Sequence, residues 1–213
     1  MYTYEMNNDI KHHELTSKRS SNLLNIDLKQ YKAINSKTNV VLYKEIAANS
    51  DGYYIEFTIA NNNYNLEQLI ETSIINMLKE FNKELVENFI IIENENKDAG
   101  TIEIYLHSPN RDMGISKKFI KGVFSLKKEN SVMVFKCKSV ETNDVLMINN
   151  EKYKKITLEN FEAVIDCQNK QKCTFSMKFN IDIHEDLPIY MLNMRGIMIA
   201  KICNNLKMFI EKM

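Results

Sequence analysis

Residues 161–182 read FEAVIDCQNKQKCTFSMKFNID and residues 188–210 read PIYMLNMRGIMIAKICNNLKMFI, and these two stretches decide the fold. In the first, apolar and polar residues alternate on both sides of Asn169-Lys170-Gln171. This pattern predicts two antiparallel strands joined by a tight turn. In the second, Pro188 marks a helix start, because its missing N–H costs nothing in the first helical turn. An apolar arc at helical spacing then predicts one long final helix that ends near Ile210.

The sequence before this hairpin repeats the strand pattern several times. Alternating segments between turn residues predict strands at 40–46, 53–59, 89–94, 101–107, 119–128 and 131–139. Residues 141–158 predict a loop, and Leu23–Tyr31 suit a short helix. Between the strands, an apolar stripe of helical period over residues 66–85 is long enough for one helix or two short ones. Clean alternation predicts a sheet with one wet and one dry face, so the final helix has to cover the dry face in an α+β architecture.

The composition predicts one globular domain without a membrane span. The chain has 213 residues, and its 28 basic residues balance 28 acidic ones, which disfavours a general affinity for nucleic acid. No apolar run approaches the roughly 18 residues of a spanning helix. Residues 1–21 are polar, without a signal-peptide core, and predict a flexible tail before a domain at 22–213. We therefore expect a cytoplasmic protein.

The cysteine pattern agrees with a reducing compartment. The four cysteines at 137, 167, 173 and 203 form no CxxC pair, and we expect all of them to be reduced, mostly buried thiols. The neighbouring His12 and His13 lack further ligands nearby, so no metal site is predicted. No glycine-rich phosphate loop is present, and no cofactor is predicted.

The order of elements resembles the START-like, or helix-grip, superfamily, and three stretches are similar to its lipid-transfer domains in particular. These are KTNVVLYKE at residues 37–45, the strand-then-helix passage at 53–85, and DLPIYMLN at 186–193 before the last helix. The resemblance covers about residues 23–213. It implies a curved antiparallel sheet wrapped around a long C-terminal helix, with two short helices after the second or third strand.

The resemblance also implies a function. Domains of this family bind one lipid in a tunnel between the sheet and the last helix, and transfer it between membranes. A phospholipid is the first expectation for the ligand and a sterol the second, with a membrane surface as a transient partner and a monomer as the working form. No catalytic activity is implied. The residues expected to line the tunnel lie on the predicted dry faces: Ile104, Leu106, Phe124, Met133, Phe135, Phe175, Met177, Met191, Met194, Arg195, Met198 and Ile202.

Several residues admit two interpretations. The methionines at 191, 194 and 198 suit either a lid or ordinary packing. Arg195 can meet a phosphate or extend to solvent. The lysines at 117, 118, 121, 127 and 128 form a local basic patch that either contacts anionic head groups or is the wet side of a strand pair. Glu103, Tyr105 and His107 share the face opposite Ile104 and are expected in solvent, and His184 in a turn.

Two other classes of function stay open. An enzyme would need paired carboxylates or an Asp/His couple on the dry faces, and acids fall on wet positions in nearly every strand. A protein-binding module of the cochaperone type would use the same fold without a lipid.

Overall fold

The computed structural model describes residues 24–35, 40–47, 52–108, 116–183 and 193–213; within them, the side chains of Asn35, Ile75, Gln168 and Met194 are not described. The predictions for the tail at 1–21, the lid residue Met191 and the turn residue His184 therefore lie outside the described residues.

One large curved sheet forms the body of the described chain. Its 11 strands are β1 Tyr31–Asn35, β2 Val40–Glu45, β3 Gly52–Ala60, β4 Val86–Glu93, β5 Ala99–Leu106, β6 Lys117–Glu129, β7 Val132–Ser139, β8 Val145–Ile148, β9 Glu151–Lys155, β10 Thr157–Asn169 and β11 Lys172–Asp182. The order across the sheet is β1-β2-β3-β11-β10-β7-β6-β5-β4, with the β8–β9 hairpin attached at β6. All pairs are antiparallel except β6 with β9, so the sheet is mixed and open.

Two α-helices accompany the sheet in the described part of the chain. Helix α1 spans Leu66–Phe81, and the side chain of Asn65 caps it by accepting a hydrogen bond from the Gln68 N–H. Helix α2 spans Met194–Lys212 and packs on β2, β3 and α1. The chain thus has the helix-grip arrangement predicted from the sequence.

Three local predictions are wrong. The predicted helix at Leu23–Tyr31 is a single 3-10 turn at Leu28–Gln30 followed by β1, because β2 offers a strand edge with which Tyr31–Asn35 can pair. The two short helices are one helix of 16 residues. The predicted loop at 141–158 contains β8 and β9, which have only four and five residues and form by pairing with each other and with β6.

Part of the outer face of the central strands is buried and apolar instead of solvated. A second apolar cluster covers it and consists of Leu24, Tyr54, Val132 and Val164, with Tyr31 and Tyr43 at its margin. The Tyr54 hydroxyl donates to the buried Glu56 carboxylate at 2.5 Å. Burial, and then the charge of Glu56, raise the pKa of Tyr54. Strict alternation therefore does not mean a solvated face at β3, β10 and β11.

Two cysteines are joined instead of free. Cys167 and Cys173 lie opposite each other on β10 and β11, with 4.3 Å between their Cα atoms, and form a disulfide. Direct cross-strand neighbours come this close in an antiparallel pair. Cys137 and Cys203 are free and buried. Because disulfides persist mainly in oxidising compartments, the cysteines no longer support a reducing one.

Candidate functional site

The concave face of the sheet and one side of α2 carry large apolar side chains that are only half-buried. On the sheet they come from β4, β5, β6, β7 and β10, and on the helices from α1 and α2. In a filled core such residues would be almost fully buried, because protein interiors are closely packed. Half-burial leaves part of these side chains uncovered, and we refer to the region between the two layers as the candidate ligand space. The sheet residues concerned are Phe89, Ile91, Ile104, Leu106, Leu126, Phe135, Phe161 and Ile165, and those of α2 include Met198, Ile199, Ile202 and Phe209.

A band of aromatic rings crosses the concave face. Phe124, Phe135, Phe161, Phe179 and Tyr53 come from five neighbouring strands, β6, β7, β10, β11 and β3. Their successive ring centroids lie 5.5, 6.0, 6.2 and 5.5 Å apart. The band is buried at both ends and half-buried at Phe135 and Phe161, so its middle is the part that can contact a ligand.

Helix α2 is fixed to one side of this band. A Cβ at Gly196 would lie 2.6 Å from the ring of Tyr53, which shows how closely the helix approaches β3. Ala200, Cys203, Lys207 and Ile210 continue the same buried side of the helix. Because helix positions three and four apart share a side, Met198, Ile202 and Phe209 are turned away from β3 and towards the remaining concave surface.

Helix α1 lies across one end of the space between the layers. Its first N–H, that of Leu66, donates to the Lys170 carbonyl at the β10–β11 turn, and Lys128 of β6 bonds Glu67 and Glu71. Phe81 of α1 stacks on Phe209 of α2. At the opposite end, which we call the distal end, β5 and β11 end and β6 and α2 begin.

Two cations point into the space at the distal end. Lys118 shares the inner face of β6 with Ile120 and is buried, and its Nζ lies 3.4 Å from the Ile183 carbonyl oxygen. Arg195, on the inner side of α2, donates from Nη1 to the Ile181 carbonyl at 2.9 Å. Among the described residues, the buried carboxylates are Glu56 and Asp166, and both lie on the outer face.

The predicted basic patch is not one surface. Lys117 and Lys118 point to opposite faces of β6, Lys121 pairs with Glu103 at 2.6 Å, and Lys128 is bonded to α1. Lys117 is buried and binds Glu87, Glu151 and Tyr153. Burial alone would lower the pKa of Lys117, but these hydrogen bonds outweigh it and raise the pKa.

Side chains alternate between the two faces of a strand, so lysines that are neighbours in the sequence lie on opposite faces of the sheet.

The residues expected in solvent on β5 are half-buried and bonded. The Tyr105 hydroxyl donates to Glu103 at 2.8 Å, and His107 Nδ1 lies 3.6 Å from the Glu87 carboxylate. Hydrogen bonds from Lys121 and Tyr105 lower the pKa of Glu103. Burial, and then the bond to Glu103, raise the pKa of Tyr105 to about 12.

The structure places the predicted lining residues in three groups. Phe124, Met133, Phe175 and Met177 are buried in the core on the concave side. Ile104, Leu106, Phe135, Arg195, Met198 and Ile202 are half-buried, the first three on the inner face of the sheet and the others on α2. Met191 lies outside the described residues, and of Met194 only the backbone is described. The predicted lining residues did not include Lys118, which was assigned to a surface patch, or the half-buried Phe161. The two-residue alternation of each strand is the signal that identifies the face on which they lie.

A surface groove of about 300 Å³ lies on the other side of the sheet. It runs over β6, β7 and β10, between two rows of outward residues that include Val123, Lys138 and Glu162. None of its lining residues belongs to α2, so it is not the predicted tunnel.

Several solved structures have a similar fold. Human STARD10 is similar over 85% of this chain and 73% of its own, with 10% identity and a TM-score of 0.68. The human StAR-related lipid transfer protein 5 is similar over 98% of both chains, with 14% identity and a TM-score of 0.66. A bacterial STAR-related lipid transfer protein from Xanthomonas axonopodis is similar over 85% of this chain and 98% of its own, at 7% identity and a TM-score of 0.59. At these identities the likeness shows the fold, and the chain has that of a START domain.

No family model matches the sequence, and no curated protein matches it. Within the described ranges, no helix is long and apolar enough to cross a membrane. The same part of the chain contains no group of three His, Cys, Asp or Glu residues placed to hold a metal ion.

Proposed function

We propose that this chain binds a single lipid between its sheet and α2 and transfers it between membranes. The observation that carries the proposal is the set of half-buried apolar side chains on two facing layers, Phe135 and Phe161 on the sheet and Met198 and Ile202 on the helix among them. The three similar solved structures support it, since each is named for the START or lipid-transfer class.

The energetics favour an acyl chain as the main ligand contact. Burying about 16 methylenes is worth on the order of 13 kcal/mol relative to water, at about 0.8 kcal/mol each. Exchange with a membrane is nearly neutral, because both environments are apolar. The protein can therefore take up and release a lipid at a membrane while holding it firmly in water.

The polar groups at the distal end favour a phospholipid over a sterol. A phosphate carries a negative charge that strengthens hydrogen bonds from Lys118 and Arg195, whereas a sterol hydroxyl is neutral. An enzyme is a weaker alternative, because the buried carboxylates of the described chain lie on the outer face and not beside the ligand space.

Native mass spectrometry and vesicle transfer test this proposal. We expect the purified protein to carry one phospholipid mass and to move fluorescent phospholipid between vesicles. An empty monomer that captures a protein partner would favour the binding-module alternative, and turnover of an ester would favour the enzyme.

Met198 on the inner side of α2 provides a specific prediction. Met198→Asp should abolish transfer, because it places a charge against the acyl chain, and should leave the circular dichroism spectrum intact. Met208→Asp is the matched control, since Met208 is exposed on the solvent side of the same helix. Normal transfer by Met198→Asp would show that this side of α2 does not contact the lipid.

A further inference from the structure

Strand β4 forms one edge of the sheet, and its outer face carries two exposed isoleucines. Among the described residues, β4 pairs only with β5. Ile90 is 39% exposed and Ile92 is 66% exposed, and they lie two positions apart on the same face of the strand. Because a strand edge can pair with another strand, natural proteins usually protect such edges with lysine, proline or a bulge. The stretch Phe89–Ile92 contains none of these.

The backbone of β4 also presents hydrogen-bonding groups on the side away from β5. The Asn94 N–H donates to the Ala99 carbonyl, so the even-numbered residues at this end of β4 bond β5. Alternation then directs the N–H and C=O groups of Phe89, Ile91 and Glu93 away from the sheet. In agreement, the Phe89 N–H donates to the side-chain oxygen of the preceding asparagine at 2.9 Å. Residues at every second position can therefore bond an added antiparallel strand.

The apolar surface continues from this edge onto the outer face of the sheet. The register places Thr101 of β5 beside Ile92, and Val123 of β6 beside Thr101. Val123 is 47% exposed. Neighbouring strands lie about 4.8 Å apart, so Ile92 and Val123 belong to one row about 10 Å long. An edge strand with exposed isoleucines beside a further exposed valine has apolar area to bury against a partner.

Strand β4 is complementary to itself when two copies lie antiparallel. A two-fold axis at Ile91 pairs Ile91 with Ile91, and Ile90 with Ile92 of the second copy. These pairs are apolar, and the same axis brings the outward backbone groups of the two strands opposite each other, so that they can bond. An axis at Ile90 would instead place Glu87 opposite Glu93, and like charges directly opposite each other are destabilising.

Charges beside the paired strands are complementary in the arrangement centred on Ile91. Lys79 of α1 reaches the edge at Asn88, where its Nζ lies 3.4 Å from the side-chain oxygen. Glu93 of the second copy lies opposite Phe89, the neighbour of Asn88 in the sequence. Lys79 and Glu93 are both exposed. Each copy can therefore offer its lysine to the glutamate of the other, once on either side of the axis.

We propose that two copies of this chain associate through antiparallel pairing of their β4 strands about a two-fold axis at Ile91. The partner is a second copy because one strand and its neighbouring lysine supply both halves of the contact, as an isologous interface requires. This dimer differs from the monomer that the resemblance implies. A single strand pair is a small interface, so we expect a weak dimer that forms at high protein concentration. Dimerisation does not depend on lipid binding, because Ile90 and Ile92 lie on the outer face of the sheet.

Sedimentation velocity over a wide range of protein concentration tests the association. We expect a concentration-dependent dimer and no larger species, since the two-fold contact uses the edge of both copies. Ile92→Lys should lower the association constant about tenfold or more, because lysine on an edge strand disfavours pairing. Ile46→Lys is the matched control, since Ile46 is 61% exposed beside β2 on the other side of the sheet. A monomer at all concentrations, or unchanged association of Ile92→Lys, would overturn the dimer.

Cysteine cross-linking tests the register of the two strands. Ile90 and Ile92 of the second copy form a pair without backbone hydrogen bonds, whose Cα atoms lie about 4.5 Å apart, within reach of a disulfide. Under mild oxidation, a mixture of Ile90→Cys and Ile92→Cys should therefore form a covalent dimer several-fold faster than either variant alone. The free Cys137 and Cys203 are buried and do not compete. No cross-link in the mixture, or a faster one in either variant alone, would overturn the axis at Ile91.

Discussion

At the residue scale, Gly196 determines how closely α2 can approach the sheet. Gly196→Ala would place a Cβ 2.6 Å from the Tyr53 ring and 3.2 Å from Leu42, both of which are fully buried. Because these neighbours cannot yield, we expect the substitution to lower the free energy of unfolding by about 1–3 kcal/mol. Urea unfolding measures this change. Lys201→Ala, on the exposed side of the same helix, is the control and should stay within about 0.5 kcal/mol.

Glu103 provides a pH-dependent prediction at the same scale. Its pKa in the folded chain lies below the ordinary value because Lys121 and Tyr105 donate to it. Its contribution to stability is therefore fully present above the unfolded-state pKa and is lost as the pH falls through the lowered folded-state pKa. Glu103→Gln should cost up to about 1 kcal/mol at neutral pH and nothing in strong acid. Urea midpoints across this range measure it; an equal loss at both extremes would contradict the ion pair.

At the element scale, Lys117 attaches the β8–β9 hairpin to the sheet. Its buried ammonium binds Glu151 of β9, Glu87 of β4 and the Tyr153 hydroxyl. Lys117→Met would leave these groups without their cation, which should cost about 1–3 kcal/mol, because Glu87 and Glu151 are partly exposed to solvent. It should also speed hydrogen exchange in residues 145–155. Lys121→Met removes a more exposed lysine of the same strand and face and should leave the exchange of the hairpin unchanged.

This hairpin also shows where prediction from the sequence stops at the element scale. The long strands β10 and β11 and helix α2 were predicted because each carries a sustained period of its own. Strands β8 and β9, with four and five residues, depend on pairing with the first residues of β6, and β1 likewise depends on β2. The sequence does not contain that information locally.

At the scale of the whole molecule, the fold and the concave side of the candidate site were predictable, and the space itself was not. The two-residue alternation of the strands placed Phe135 and Phe161 on the apolar face of the sheet. Whether a residue on that face is buried or half-buried depends on how closely the sheet curves around the helix. Lys118 shows the same limit. Its strand position puts it on the inner face, yet its place in a run of lysines suggested a surface.

The two sides of α2 give a direct test of that space. Ala200 is buried against the sheet, whereas Ile202 is half-buried and faces the candidate ligand space. Ala200→Phe should therefore destabilise the protein by about 3 kcal/mol through overpacking, the upper end of what such insertions usually cost. Ile202→Phe should keep the free energy of unfolding of the lipid-free protein within about 1 kcal/mol, because the larger ring can enter the space.

The stability gained on adding a ligand then distinguishes a ligand-binding space from a loosely packed core. A ligand that binds only the folded chain stabilises it by about 2.7 kcal/mol at 100 times its dissociation constant. Thermal unfolding with added phospholipid should show this gain in the unchanged protein and a much smaller one in Ile202→Phe, whose ring occupies the position of the acyl chain. If Ile202→Phe is as destabilising as Ala200→Phe, α2 is packed on both sides, and no acyl chain fits beneath it.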